Sequence, residues 1–200
     1  MMNGFFAMLH RAKHIKRWGL MRNSESENLS EHSFDTAVIA HALAEIGNKY
    51  MGKSLPSDKI AAAALFHDAH EIMTGDLPTP VKYKDEEIKK AYKKIEEAAT
   101  ESLLGSLPEE LRGGYACLLG FSEREPELYR YIKAADKISA FIKCVEECRT
   151  GNSEFEIAKE LLRAQIESIG LPEADFFMER FAETYGLSLD ELQGTAQNRG

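Results

Sequence analysis

The segment "ALFHDAHEIMTGDLPTP" (residues 64–80) follows an apolar run with two histidines, two aspartates and a glutamate. On a helix, His67 and Glu71 would be four residues apart on one face, and the adjacent His67 and Asp68 would be splayed by about 100°. An imidazole and a carboxylate in that arrangement can bind one ion from two sides, and they favour a divalent transition metal over calcium. Two ligands are too few for such an ion, so others are expected elsewhere in the chain.

Two residues distant in sequence are candidates for the missing ligands. Ser30 has the chemistry of an N-cap, which would place His32 in the first turn of a helix, where the helix dipole favours a neutral imidazole. Asp136 lies in an otherwise apolar helical stretch, and a carboxylate entering a core needs a positively charged partner. That partner is either a metal ion or one of the neighbouring lysines, Lys133 and Lys137.

The rest of the chain has the periodicity of helices. Apolar residues recur at three- and four-residue intervals, and runs with period two are missing. Glycines and prolines separate the periodic segments. The predicted segments are 4–17, 32–47, 57–73, 84–105, 123–149, 153–168 and 171–185. The pattern predicts a single compact all-α domain over residues 1–200, with about six or seven main helices.

Composition narrows the classes of function. The 200 residues are 44% hydrophobic and 29% charged, which is typical of a soluble globular protein. The formal net charge of -8 opposes binding to polymeric nucleic acid. The longest apolar stretch, Ala61–Phe66, is too short to span a membrane, and the N-terminal residues lack the pattern of a signal peptide. Three cysteines without a C-x-x-C pair indicate a reducing, cytoplasmic location.

The ordered set His32, His67–Asp68 and Asp136 resembles the H…HD…D signature of the HD-domain metal-dependent phosphohydrolases. Three longer stretches, "KRWGLMRNSESENLSEHS", "HDAHEIMTGDLPTPVKY" and "ADKISAFIKCVEE", are similar to the 5′-deoxynucleotidase branch of that superfamily, and the likeness extends to about Asp190. The resemblance implies hydrolysis of deoxyribonucleoside 5′-monophosphates to deoxynucleoside and phosphate. It also implies that the four signature residues bind one divalent transition metal ion (Co, Mn, Zn, Cu or Fe).

The resemblance implies roles for residues that bind no metal. Glu71, one helical turn beyond His67, suits a general base or proton shuttle beside a metal-bound water. Arg17 has a forked cation that fits two phosphate oxygens, and the resemblance places it on the phosphate. A solvated face shared with Lys13 and Lys16 is the alternative for Arg17.

The sugar is expected to contact Trp18 and the turn that follows the metal segment. The resemblance places the Trp18 indole against the C2′ side of the sugar, whereas the alternative is a helix-end anchor packed on the core. The turn forms a rigid lip that faces the nucleotide, where Asp76 accepts from the 3′-hydroxyl and Thr79 donates to the phosphate. The lip residues are Asp76, Leu77, Pro78 and Thr79.

Other interpretations remain open at this stage. An HD hydrolase of nucleoside triphosphates or guanosine polyphosphates would need several further cations at the pocket, and the candidates for these are Arg17, Arg22 and Lys82. A non-catalytic nucleotide-binding helical module would not need Glu71. His70 is interpreted as an exposed histidine, with a contact to a ligand or substrate as the alternative, and His41 is assigned to packing. Analogy with related enzymes predicts a homodimer.

Overall fold

The structure, a computed structural model, describes residues 3–82 and 84–197, without the side chains of Thr79 and residues 195–197. The prediction of an all-α protein is confirmed. Within these residues the sole extended pairing is an isolated antiparallel bridge between Lys16 and Asn28. In the same part of the chain, no helix is both long and apolar enough to cross a membrane.

Twelve α-helical segments form in the described part of the chain, more than the six or seven predicted. They are α1 (Phe5–Leu9), α2 (Leu29–Tyr50), α3 (Ser57–Ala64), α4 (Glu71–Thr74), α5 (Thr79–Lys82), α6 (Glu86–Gly105), α7 (Glu109–Leu119), α8 (Phe121–Arg124), α9 (Pro126–Arg149), α10 (Glu156–Ile169), α11 (Pro172–Arg180) and α12 (Leu189–Gln197). Three short 3₁₀ helices cover His10–His14, Ser153–Phe155 and Ala182–Gly186. Much of the excess consists of four-residue helices, which are too short to give a periodic signal in the sequence.

The main core lies where α2, α3 and α9 pack together. Leu43 of α2, Ile60 of α3 and Ile138 of α9 are completely buried there. A smaller cluster contains Phe5, Ala69, Leu103 and Leu107, and it joins α1 and α6 to the segment after α3. The smaller cluster therefore holds that segment, through Ala69, against α1 and α6.

Helix α2 begins three residues earlier than predicted. Its N-cap is Asn28, whose side chain accepts from the Ser30 and Glu31 backbone N–H groups, while Glu31 accepts from the Asn28 N–H. This capping box satisfies N–H groups that the first turn leaves unpaired. The prediction of a Ser30 cap was wrong, because Ser30 lies inside the first turn. His32 is therefore the fourth residue of α2.

The predicted helix 57–73 is not continuous. Helix α3 ends at Ala64, and the backbone forms consecutive turns to residue 70, where α4 follows. The N–H groups of Phe66, His67, Ala69 and Glu71 each donate to the carbonyl three residues earlier, at 3.0, 3.3, 3.1 and 2.9 Å. This tighter pattern changes the angle between successive side chains from that of an α-helix. The spacing argument for His67 and Glu71 on one α-helical face was therefore wrong in its premise.

Helix α7 was not predicted, because Gly113 and Gly114 suggested a break. The helix passes through both glycines, where an added Cβ would meet no neighbouring atom. The Arg112 guanidinium donates to the carbonyls of Gly105 and Leu107, which joins the first turn of α7 to the end of α6. Such tertiary contacts offset the low helix propensity of the two glycines.

Candidate active site

Three separate segments bring the four predicted metal ligands together. His32 comes from α2, His67 and Asp68 from the turns after α3, and Asp136 from α9. One donor atom of each lies within 4.8 Å of the others. His32 Nε2 is 3.2 Å from Asp136 Oδ1 and 3.7 Å from Asp68 Oδ2, and His67 Nε2 is 3.0 Å from Asp68 Oδ2. We call these four residues the ligand cluster.

The donor atoms of the ligand cluster suit a divalent cation. His67 Nδ1 lies 2.8 Å from the Ala64 carbonyl, so a neutral ring donates from Nδ1 and leaves the Nε2 lone pair free. His32, which is 0% exposed, places Nδ1 3.1 Å from Ser139 Oγ. Both Nε2 atoms are buried without a hydrogen bond and face two carboxylates. Two imidazoles and two carboxylates form a typical set for a transition metal.

The pKa values of His32, Asp68 and Asp136 are shifted towards the metal-binding form of each side chain, whereas for His67 the lowering by burial is outweighed by the carboxylates of Asp68 and Asp136, which raise its pKa. Burial lowers the pKa of His32, and the positive charge of Arg17 lowers it further. Burial opposes ionisation of Asp68, but the neighbouring His67 and His32 keep its pKa below the usual range. The pKa of Asp136 is likewise lowered despite burial, through Lys137 and the two histidines. Lys137 Nζ donates to Asp136 Oδ2 at 2.9 Å, so one of the suggested partners, a lysine, is present, while Asp136 Oδ1 faces His32 Nε2 within the ligand cluster.

Glu71 lies beside the ligand cluster with one unsatisfied oxygen. Its side chain is at the start of α4, the residue is 4% exposed, and Oε2 has no hydrogen-bond partner. Burial, followed by the negative charges of Asp68 and Asp76, raises the pKa of Glu71 to about 9, although Arg17 and Lys82 oppose the shift. A buried carboxyl whose environment makes it hold its proton at neutral pH is a candidate for acid–base chemistry.

Two histidines differ from their predicted environments. His70 is not exposed, because its side chain is 15% accessible and Nε2 lies 3.3 Å from Glu96 Oε1. Lys82 Nζ is 2.6 Å from the same oxygen, so His70 belongs to an ionic group at the edge of the site. His41 does not pack in the core, since its side chain is 45% exposed and lies 3.6 Å from Asp58.

Arg17 and Trp18 are joined to each other through Glu27. Arg17 Nε lies 3.5 Å from Glu27 Oε2, and its Nη1 is 3.9 Å from Asp68 Oδ2. The Trp18 Nε1–H donates to Glu27 Oε2 at 2.5 Å, while the indole packs on Phe155 with ring centroids 5.3 Å apart. Arg17 therefore lies against the ligand cluster and not on a solvated face.

The lip begins where a glycine ends α4. Gly75 has φ of +75°, a conformation that favours glycine over other residues. Asp76 lies close enough for its charge to raise the pKa of Glu71, and Leu77 and Pro78 are partly buried. Thr79 begins α5, and its side chain lies outside the described part of the structure. The predicted stop at Gly75 is present as expected.

The sequence did not reveal the residues that position the segment before α2. Glu147 of α9 accepts from the Ser24 N–H at 2.8 Å, from Asn152 Nδ2 at 2.8 Å and from Lys143 Nζ at 2.5 Å. Lys143 also donates to the Glu25 carbonyl at 2.6 Å. We call Lys143, Glu147 and Asn152 the loop anchor. Its contacts join residues more than 100 positions apart, which no local pattern indicates.

Cavity size does not locate the site. A cavity of about 570 Å³ lies along residues 22–24 and 151–154, and no residue of the ligand cluster lines it. A smaller one of about 190 Å³ borders Asp68, Leu29 and Ile72. The site lies instead at the ligand cluster, where buried imidazole nitrogens face two carboxylates.

Comparison with known proteins identifies the family. A family model described as 5′-deoxynucleotidase YfbR-like matches residues 4–185. The 5′-deoxynucleotidase VV1113 of Vibrio vulnificus is 47% identical over 188 residues, which cover 94% of this chain and 97% of that protein. The chain belongs to the YfbR-like 5′-deoxynucleotidase family. The resemblance drawn from the sequence motifs is confirmed.

Solved structures show that this YfbR-like chain has the HD-domain fold. An HD-domain phosphohydrolase from Listeria innocua superposes with a TM-score of 0.79 at 20% identity, and the match covers 98% of each chain. The HD phosphohydrolase DatZ of cyanophage S-2L, solved with dA and one catalytic Zn²⁺ ion, gives a TM-score of 0.64 at 21% identity, covering 89% of this chain and 96% of DatZ.

Proposed function

We propose that this YfbR-like protein hydrolyses deoxyribonucleoside 5′-monophosphates to deoxynucleoside and phosphate. The observation that carries the proposal is the convergence of four metal-binding side chains beside a buried carboxyl, Glu71. Phosphate monoesters hydrolyse extremely slowly without catalysis, so the reaction needs charge neutralisation and an activated water. Family membership supports the activity. We assign it to the whole chain, residues 1–200, as one hydrolase domain.

A divalent transition metal ion fits the ligand cluster. His32 and His67 would bind it through Nε2, and Asp68 and Asp136 through carboxylate oxygens. When bound, such an ion lowers the pKa of water and neutralises phosphate charge. Zn²⁺ is supported by the ion in DatZ, and Co, Mn, Cu or Fe suit the same ligands.

Arg17 binds the phosphate in this proposal. Its Nη1 lies 3.9 Å from Asp68, and its guanidinium is largely buried, so a phosphate beside the ligand cluster would be within its reach. A buried guanidinium forms strong, paired hydrogen bonds to phosphate oxygens and orients the group for in-line attack.

Glu71 takes the proton of the attacking water. The carboxyl lies next to Asp68, and its unpartnered Oε2 is available to a water molecule. A positive charge added at the ligand cluster would counteract Asp68 and bring the raised pKa of Glu71 down towards neutrality, where a general base works best.

The sugar is selected by Trp18 and the lip. An indole against C2′ accepts a hydrogen there, but a ribose hydroxyl would lose water without gaining a partner. Asp76 accepts from the 3′-hydroxyl, Thr79 donates to the phosphate, and Leu77 and Pro78 keep this turn rigid. Deoxynucleotides are therefore preferred over ribonucleotides.

Longer phosphate chains are poorer substrates in this proposal. The side chain of Arg22 is 93% exposed and lies beside Glu154, and Lys82 is paired with Glu96 and packed over the Tyr92 ring. Of Arg17, Arg22 and Lys82, Arg17 alone is in contact with the ligand cluster, and a further cation there, Lys137, donates to Asp136 Oδ2. This supports a monophosphate over nucleoside triphosphates and guanosine polyphosphates.

One screen tests the proposed activity. The purified protein, reconstituted with Zn²⁺, Mn²⁺ or Co²⁺, is assayed for phosphate release from ribo- and deoxyribonucleoside mono-, di- and triphosphates. We expect release from deoxyribonucleoside monophosphates above all others. Preferred hydrolysis of triphosphates would contradict the proposal, and tight nucleotide binding without phosphate release would support a non-catalytic module. A cytoplasmic location and a homodimer stay predictions, the second open to light scattering.

A further inference from the structure

Glu27 lies at the centre of the region that we assign to phosphate and sugar, yet it has no role in the proposed reaction. The Arg17 N–H donates to the Glu27 carbonyl at 3.0 Å, next to the bridge between Lys16 and Asn28. The segments on either side of the loop 18–26 are thus paired by their backbones. The Glu27 side chain is 11% exposed and points into the site.

The Glu27 carboxylate contacts three functional side chains at once. Oε2 accepts from Trp18 Nε1 at 2.5 Å and lies 3.5 Å from Arg17 Nε. Oε1 is 3.7 Å from His32 Nδ1, beyond hydrogen-bond distance. The contact with Trp18 is therefore the shortest and the most directional of the three.

The backbone of Trp18 is strained. Its φ of +58° makes it the one non-glycine residue in the left-handed region among the described residues. This conformation costs a bulky residue about 1 kcal/mol or more. The Trp18 carbonyl accepts from the Met21 N–H at 2.9 Å and from Asn23 Nδ2 at 3.3 Å, which fixes the backbone but leaves the indole free to turn about its side-chain bonds.

Two contacts fix the indole itself. Phe155 packs against one part of the ring, at an interplanar angle of 57°, and Glu27 accepts from its N–H. Packing between tilted rings tolerates sliding and rotation, whereas a charge-assisted hydrogen bond sets direction and distance. The orientation of the indole consequently depends on Glu27.

We propose that Glu27 is a positioning residue that sets the sugar preference by holding the Trp18 indole in one orientation. The inference rests on the proposed function for the identity of the substrate. Glu27 acts through Trp18 and does not touch the nucleotide. Its loss should weaken discrimination at C2′ while the ligand cluster retains its metal, because His32 Nδ1 has Ser139 as its hydrogen-bond partner.

The test compares Glu27→Ala with Glu27→Gln. Alanine removes the acceptor, whereas the glutamine amide oxygen can still accept from the indole N–H. For Glu27→Ala we expect the ratio of kcat/KM for dAMP over AMP to fall about tenfold, part of the roughly 10²-fold that an apolar wall can supply. Glu27→Gln should keep most of the wild-type ratio of kcat/KM for dAMP over AMP. Glu25→Ala, an exposed carboxylate on the same loop, is the matched control.

A second readout is independent of catalysis. Trp18 is the only tryptophan in the chain, so intrinsic fluorescence reports on this indole alone. Acrylamide quenching should increase in Glu27→Ala and stay near the wild-type value in Glu27→Gln and Glu25→Ala. Metal content, measured by mass spectrometry, should be unchanged in all three.

The outcomes separate the two proposals. Wild-type sugar preference and quenching in Glu27→Ala would overturn the role of Glu27. If Glu27→Ala does not fold, Glu27→Gln decides, because its amide oxygen can still accept from the indole. A loss of sugar preference in Glu27→Gln as large as that in Trp18→Ala would overturn the role of Glu27. A wild-type protein that releases no phosphate from dAMP would overturn the proposed function, and quenching would still decide whether Glu27 fixes the indole.

Discussion

Two buried glutamates, Glu71 and Glu147, have opposite environments. Glu71 is 4% exposed with an unpartnered oxygen and negative neighbours, and its pKa is raised to about 9. Glu147 is 2% exposed, and although burial alone would raise its pKa, hydrogen bonds from Lys143, Asn152 and Ser24 lower it to about 2. The difference separates a carboxyl left unsatisfied beside the ligand cluster from one that the loop anchor satisfies fully.

The largest expected effect lies in the ligand cluster. Replacing Asp68 with alanine should remove a ligand, abolish metal binding and lower phosphate release to background, while the helical circular dichroism spectrum is kept. Asp58→Ala changes a fully exposed aspartate of α3 and is the matched control. Metal content and turnover are measured together. Stoichiometric metal in Asp68→Ala would show that the cluster is not the metal site.

The second largest effect on activity is expected at Glu71. Glu71→Gln should keep metal and substrate affinity but lower kcat by about 10²–10⁴, the range for a general acid or base. Since glutamine resembles the neutral carboxyl favoured in the metal-free protein, thermal stability without metal should change little. Glu101→Gln, on an exposed face of α6, is the control. Loss of bound metal in Glu71→Gln would instead make Glu71 a ligand.

Trp18 contacts Glu27 and Phe155, and its substitution tests the wall proposed for the sugar. Trp18→Ala should raise kcat/KM for AMP relative to dAMP by about 10- to 100-fold, because the apolar wall at C2′ is removed. Arg17→Ala should weaken both substrates alike through the shared phosphate. Kinetics with the two nucleotides measure the ratio. If the ratio stays the same in Trp18→Ala, the indole is a packing residue and not a wall of the sugar pocket.

The smallest effect on chemistry, and the largest on stability, is expected at the loop anchor. Glu147→Gln leaves Lys143 buried without its counter-charge and should cost about 3 kcal/mol of unfolding free energy. Thermal melting measures this against Glu127→Gln, an exposed residue of the same helix.

The carboxylate of Glu147, with its lowered pKa, stabilises the fold above about pH 4.5, and this contribution is lost as the pH falls from there towards 2. If the unfolding free energies of the wild type and of Glu147→Gln differ by the same amount at every pH in that range, Glu147 is not the group that titrates.

The helical fold class and the four candidate metal ligands could be predicted from the sequence. Helical periodicity was sufficient for the all-α class, and the order of His32, His67–Asp68 and Asp136 indicated residues that the fold brings together. Neither prediction required knowledge of the loops between them.

Long-range geometry was not predictable from the sequence. The turns at residues 65–70 have the same apolar spacing as a short α-helix, and only their hydrogen bonds distinguish them. No sequence motif indicated a role for Glu27 or Glu147, because their partners become neighbours only after folding. Gly113 and Gly114 suggested a break, since the contacts of Arg112 with the end of α6 and with Leu107 form only when the chain folds.

The metal ligands come from three parts of the chain: α2, the turns that follow α3, and the late helix α9. This order matters while the chain is being synthesised. A nascent polypeptide that has emerged only as far as α6 contains His32, His67 and Asp68 but lacks Asp136, and it also lacks Glu147 to order the loop before α2. Complete coordination therefore depends on docking of the late helix α9 onto the early helices. A cation that needs all four ligands binds the finished tertiary structure in preference to any shorter intermediate, and it stabilises that structure by mass action.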